Sequence, residues 1–137
     1  MNTKRWLLGS LAVFVVIMVL ESIVNGVLLK DIYMQTATVW RPEADMQKMM
    51  WLFWIGYLVF ALMFTLIYSK GYEKKKDDLG QGLRYGLYVG VLTSIPMSLT
   101  WYVVLPIPGT LALYWTIAGI VEMLVAGAAV GFIYRHK

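Results

Sequence analysis

Four apolar runs, at residues 6–29, 49–69, 83–105 and 110–134, leave this chain few ways to fold. Each is as long as the roughly 20 residues of helix that cross a hydrocarbon layer of about 30 Å. Where no water can satisfy backbone N–H and C=O groups, such a run must satisfy its own, and a helix does so within one segment. The expected fold is therefore all-α, a four-transmembrane-helix bundle in a single integral membrane domain over residues 1–137. Composition agrees. The 137 residues are 60% hydrophobic and 15% charged, with mean hydropathy +0.67, too apolar to cover a soluble core with polar surface. Little of the chain lies outside the runs, so no separate soluble domain is expected within it.

The basic residues set the expected orientation. Lys4 and Arg5 precede the first run, Lys70, Lys74, Lys75, Lys76 and Arg84 surround the second connection, and Arg135 and Lys137 follow the fourth run. The first connection mixes Lys30, Arg41 and Lys48 with Asp31, Glu43 and Asp45, while the turn Pro106-Ile107-Pro108-Gly109 is uncharged. By the positive-inside rule both ends and the 70–84 connection are cytoplasmic, an N-in/C-in arrangement consistent with an even number of spans. Trp6, Tyr68, Tyr72, Tyr85 and Tyr134 are expected at that interface. Tyr33, Trp40, Trp51, Trp101, Tyr102, Tyr114 and Trp115 are expected at the other. A secretory signal has an apolar core of about 7–15 residues; the first run is longer and shows no small-x-small cleavage site before Glu21, so it is expected to be retained. The formal net charge of +4 is accounted for by topology and anionic lipid head groups, and nucleic acid is not an expected partner.

Residues 40–45, Trp-Arg-Pro-Glu-Ala-Asp, read as a helix start with Pro42 at the first helical position and acidic residues in the first turn. The second span is thus expected to begin outside the hydrocarbon, near Pro42. Met46, Met49, Met50, Trp51 and Trp54 follow as a patch. Thioether sulfurs can hold Cu(I), but the chain has no cysteine and its one histidine is His136, so interfacial packing is expected and no metal. Residues 71–82 form a hydrophilic connection with no phosphate-cradling motif.

Small residues indicate how the spans pack. Gly82, Gly86 and Gly90 recur every four positions in span three, as do Gly127 and Gly131 in span four, with Ala126, Ala128 and Ala129 beside them. Such spacing lets helix backbones approach closely in lipid. Spans three and four are expected to pack as an antiparallel pair; the alternative use of the same stripes is a homodimer. Pro96 interrupts span three, with Thr93, Ser94, Ser98 and Thr100 around it. It predicts either a static kink relieved by those hydroxyls, or a hinge or cavity wall.

Within the runs, ionisable groups are costly, roughly 2.5–3.5 kcal/mol at mid-bilayer, and normally face the protein interior with a partner. Glu21 and Asn25 lie one helical turn apart on one face, a stripe that Ser10 joins. Glu122 stands in span four at a depth that differs from Glu21 by only about 5 Å at 1.5 Å per residue. The two are expected to meet. Three uses of the pair compete. Both carboxyls could be protonated and bond to Asn25, Ser22, Thr116 or the Thr93/Ser94 group, tying the bundle together. They could exchange a proton for a cationic or amine substrate. They could contact a partner subunit, a lipid head group or a quinone-like molecule. Two carboxylates without internal histidine or cysteine do not suit a catalytic metal, a hydrolytic nucleophile or haem.

Trp40-Arg41-Pro42-Glu43 after the first span, Arg84-Tyr85-Gly86 opening the third, Pro106-Ile107-Pro108 in the last turn and residues 122–127 of the fourth together resemble an uncharacterised family of small bacterial four-helix integral membrane proteins. The resemblance covers nearly the whole chain. It implies a bacterial source and an inner-membrane address, and carries no activity or site residues with it. A small multidrug exporter also has four spans and a glutamate in the first, but this chain departs from it in its longer connections and second glutamate. The expectation is a non-enzymatic membrane component without a cofactor. It would bind a partner subunit, lipid or small hydrophobic ligand through Glu21, Asn25 and Glu122. The alternative is a proton-coupled exporter acting as a homodimer.

Overall fold

The computed structural model describes residues 3–73 and 78–134. Helix α1 (Thr3–Ile23) continues into a π-helical turn (Val24–Leu28), followed by the short α2 (Lys30–Gln35), a 3-10 turn (Ala37–Val39) and α3 (Glu43–Lys48). Three long helices complete the chain: α4 (Met50–Gly71), α5 (Asp78–Val104) and α6 (Gly109–Ile133). No strand occurs among the described residues. Four helical stretches are long and apolar enough to cross a membrane, Thr3–Leu28, Met50–Gly71, Leu79–Val104 and Gly109–Ile133. Their outer faces are apolar too: Val27 is 69% exposed, Leu92 73% and Val103 83%. Water penalises that arrangement, and hydrocarbon accepts it. Lys74, Lys75, Lys76, Arg135 and Lys137, which carry much of the orientation argument, lie outside the described residues, as does His136.

The helices alternate in direction, so the bundle has a terminal end, with Thr3 and Tyr134, and a distal end, with the 30–48 segment and the Pro106–Gly109 turn. Helix α6 is central, packed against α5 on one side and α1 on the other, and α1 in turn packs against α4. The closest pair is α5 with α6. A Cβ on Gly82 would collide with the Gly127 carbonyl oxygen, one on Gly86 with the Met123 carbonyl oxygen, and one on Gly90 would lie 3.0 Å from Ile120 Cα. Gly131 lies across from Gly82 in the same seam, its Cα 3.0 Å from where a Gly82 Cβ would stand. Both glycine stripes are thus occupied within one chain, and the seam leaves no glycine face free to join a second copy.

The interior at the terminal end is built on Val13, Ile17, Ala61, Phe64, Met123, Ala126 and Val130, with Tyr68 and Tyr134. Trp6 donates its indole N–H to the Leu62 carbonyl at 2.9 Å, tying α1 to α4. Helix α4 meets α5 through side chains: the Tyr85 hydroxyl donates to the Phe64 carbonyl at 2.6 Å, and the Phe64 and Tyr85 rings lie 4.7 Å apart. Tyrosines expected near the interface at this end also pack on one another within the bundle. Tyr68 packs against Tyr72, Tyr85 and Tyr134, and is only 3% exposed. Near a membrane surface an amphipathic ring gains as much from a neighbouring ring as from the head groups, and position in sequence does not separate the two.

The second span also begins differently from expectation. Pro42 is extended (φ −53°, ψ 143°) and stands one residue before the first helical position, and the helix it starts ends at Met49 (φ −106°, ψ 5°) before α4 begins. Neither glycine nor proline marks that break. Its backbone is still satisfied, because the Met49 amide bonds to the Met46 carbonyl at 3.0 Å. At Pro96, α5 continues as helix. Pro96 itself is on the exposed face, as are Ile95, Met97 and Thr100, while Ser98 is buried and Thr93 and Ser94 are half-buried.

Candidate functional site

The first span changes pitch beside its polar residues. In the turn Val24–Leu28 the Leu29 amide bonds to the Val24 carbonyl at 2.8 Å, five residues back, an insertion of the kind that often accompanies functional sites. Asn25 stands on this turn. Its Nδ2 donates to Glu21 Oε2 at 2.6 Å and to the Glu21 carbonyl at 3.1 Å. Its Oδ1 accepts from the Tyr33 hydroxyl at 2.5 Å, and that hydroxyl accepts from the Trp115 indole N–H at 2.7 Å. Every donor in the row Trp115, Tyr33, Asn25 points toward the Glu21 carboxyl, so each bond polarises the next.

Tyr33 comes from α2 and Trp115 from α6, so the 30–40 segment is folded over the distal end of the bundle. Trp40 holds it there, edge-on to the Tyr33 ring at 5.5 Å and to the Trp115 ring at 6.0 Å. Beneath lies an apolar cluster of Leu29, Ile107 and Leu111. Burial pushes the Tyr33 phenol above its ordinary value of 10.0, and donation from Trp115 lowers it by less. It therefore remains a donor at neutral pH. Tyr33 and Trp115 belong to the site, although nothing in their sequence positions sets them apart from the chain's other aromatics.

Glu122 is 5% exposed, and its Oε1 is buried with no hydrogen-bond partner. The Glu21 side chain is its neighbour, and the Tyr57 hydroxyl also faces Glu21. The two glutamates expected to meet are thus in contact, and Asn25 joins them through Glu21. Three of the hydroxyls expected to satisfy them bond elsewhere. Thr93 donates to the Val89 carbonyl, Thr116 to the Ala112 carbonyl and Ser22 to the Met18 carbonyl, each at 2.8–3.0 Å and each four residues back on its own helix. Intrahelical bonding of this kind is always within reach of a helical Ser or Thr, so it wins over a partner on another helix. Ser10, on the same stripe as Glu21, is buried in the terminal half beside Gly9, about 16 Å away along the helix at 1.5 Å per residue, and is no part of the site.

The carboxyl pair lies at the wall of a cavity of ≈ 490 Å³. Helix α1 contributes Ile17 and Glu21, and the π-helical turn after it Val24 and Asn25; α4 contributes Phe53, Tyr57 and Phe60; α6 contributes Trp115, Ala118, Gly119, Glu122 and Met123. From α5 come Thr93, Ser94, Met97, Ser98 and Trp101. Gly119 is needed here because a Cβ would collide with Ser94 Oγ. Separation of α4 from α5 over this half of the bundle creates the space. Phe53 (54% exposed), Met97 (55%) and Trp101 (43%) belong both to its lining and to the outer surface, so the cavity opens sideways between these helices. No lysine or arginine lines it. Among the described residues no three His, Cys, Asp or Glu side chains come together as a metal set.

Comparisons with models of protein families, with curated proteins and with solved structures found no match.

Proposed function

We propose that this is a non-enzymatic, multi-pass protein of a bacterial cytoplasmic membrane, with both ends and the 70–84 connection on the cytoplasmic side. It binds a small amphipathic molecule, taken from the bilayer, in the cavity around Glu21, Asn25 and Glu122. One observation carries this reading: Glu122 is buried at the wall of an open cavity with Oε1 unpartnered. A carboxyl retained only to tie helices together would have its acceptors filled, since an unmet buried polar atom costs about 1–3 kcal/mol. The volume lies within the roughly 300–1,000 Å³ of small-molecule sites, with the expected apolar wall and few polar groups. Pro96 serves as the hinge that adjusts α5 at the opening.

Native mass spectrometry of the protein extracted gently from its own membrane tests this. A retained small-molecule mass that is lost in Glu122→Gln supports a ligand site. A stoichiometric second polypeptide with an empty cavity would replace it with an accessory-subunit role.

The contact between Glu21 and Glu122 favours a second reading, proton-coupled export by a homodimer, because neighbouring carboxyls bind protons competitively with any cation placed between them. Export requires that Glu21→Gln abolish substrate-driven proton flux in vesicles while leaving the protein folded. The homodimer would have to use a surface other than the glycine seam.

A further inference from the structure

We propose that the molecule bound in this cavity is a lipophilic monocation, one positive charge on an aromatic or aliphatic body with no anionic group, and that each one bound displaces one proton from the Glu21–Glu122 pair. This rests on the reading of the cavity as a ligand site.

The polar chemistry of the cavity is one-sided. Its unfilled group, Glu122 Oε1, is an acceptor, and a second carboxyl, Glu21, lies beside it. The titratable groups facing the pair are Tyr57 from α4 and, through Asn25, Tyr33 from α2; the α5 wall offers only hydroxyl, thioether, indole and aliphatic groups. A cation meets two carboxyls here, and an anion meets no positive charge. The walls select further. Trp40, Phe53, Tyr57, Phe60, Trp101 and Trp115 surround the carboxyls, and aromatic faces attract a desolvated cation as well as an apolar body. Exposure of Phe53, Met97 and Trp101 on the outer surface gives a molecule dissolved in hydrocarbon a sideways route that avoids water. A zwitterionic lipid would bring a phosphate to a cavity without lysine or arginine.

Charge balance fixes the proton count. An uncompensated charge in such surroundings is expensive, so the carboxyl pair is neutral when the site is empty. A bound monocation leaves the site neutral if one proton departs to solvent and the other stays between the two carboxyls. The site thus exchanges one positive charge for another.

The test uses the purified full chain in detergent with tetraphenylphosphonium, and with tetraphenylborate as a probe of the same size and shape but opposite charge. Binding is read from quenching of the cavity tryptophans, and proton release from pH change in weakly buffered solution. The phosphonium should saturate with close to one proton released per cation, tighten about tenfold per pH unit while the pair exchanges that proton, and exceed tetraphenylborate at least tenfold. The double variant Glu21→Gln/Glu122→Gln should abolish proton release, while each single variant, with one carboxyl left, should bind more weakly and still release one proton per cation. If the double variant does not fold, the single variants and the unmodified chain still decide. Equal binding of the two probes, or phosphonium binding without proton release, would overturn the monocation inference while leaving a ligand cavity in place. Failure of both probes together with no retained mass in native spectrometry would remove the cavity reading itself.

Discussion

Asn25 holds Glu21 by a 2.6 Å bond from Nδ2 to Oε2, across one turn of the same helix. An i, i+4 pair of this kind is local and would form in an isolated helix. What the fold adds is the second half of the amide, because Oδ1 receives the hydroxyl of Tyr33 from a segment folded over the distal end. One side chain therefore joins the carboxyl pair to the cover above it.

Removing that joint should cost more than either of its bonds alone. Asn25→Ala is expected to destabilise by about 1–3 kcal/mol, the cost of leaving buried polar groups unmet, and Tyr33→Phe by less. A double-mutant cycle read by reversible unfolding in mixed micelles should give a coupling clearly different from zero. Additive losses would mean that Tyr33 and Asn25 do not act together. The folded phenol binds its proton more tightly than the unfolded one, so its contribution is complete below pH 10 and is lost as pH rises through the higher folded value.

Gly86→Ala places a methyl against the Met123 carbonyl, where backbone, not a flexible side chain, is the obstacle. A loss of about 1–3 kcal/mol, typical of overpacking, is expected. Gly56, with nothing within 4 Å of its added Cβ, is the control. There alanine should be neutral or stabilise by about 0.5–1 kcal/mol through helix propensity. Equal effects at the two positions would show that the α5–α6 seam does not set stability.

Glu122→Gln tests whether the carboxyl is there for the fold. Glutamine keeps the shape and brings its own donors to Glu21, so the unfolding midpoint at neutral pH should stay the same or rise. A marked fall would restore a purely structural role for Glu122 and count against the ligand reading.

Orientation is open to a direct experiment because the chain has no cysteine of its own. Thr38→Cys, on the exposed 3-10 turn, should react with a membrane-impermeant maleimide from outside intact spheroplasts, and Lys70→Cys only after lysis. The reverse pattern would invert the topology.

The sequence alone determined the class of fold and the members of the polar centre. Four runs of spanning length admit little but helices, and a carboxyl such as Glu21 or Glu122 inside one is conspicuous because apolar surroundings make it costly. Glycine repeats at Gly82, Gly86 and Gly90 were legible for a similar reason, since helical periodicity turns spacing into a face. Tertiary structure decided the rest. It separated α4 from α5 to open the cavity, sent the Thr93 and Thr116 hydroxyls back to their own helices, drew Tyr68 and Tyr134 inward, and brought Tyr33 and Trp115 to Asn25. Those outcomes depend on which faces meet across helices distant in sequence. Periodicity within one run reports only that a face exists, and contact between faces is settled by how closely whole helices can pack.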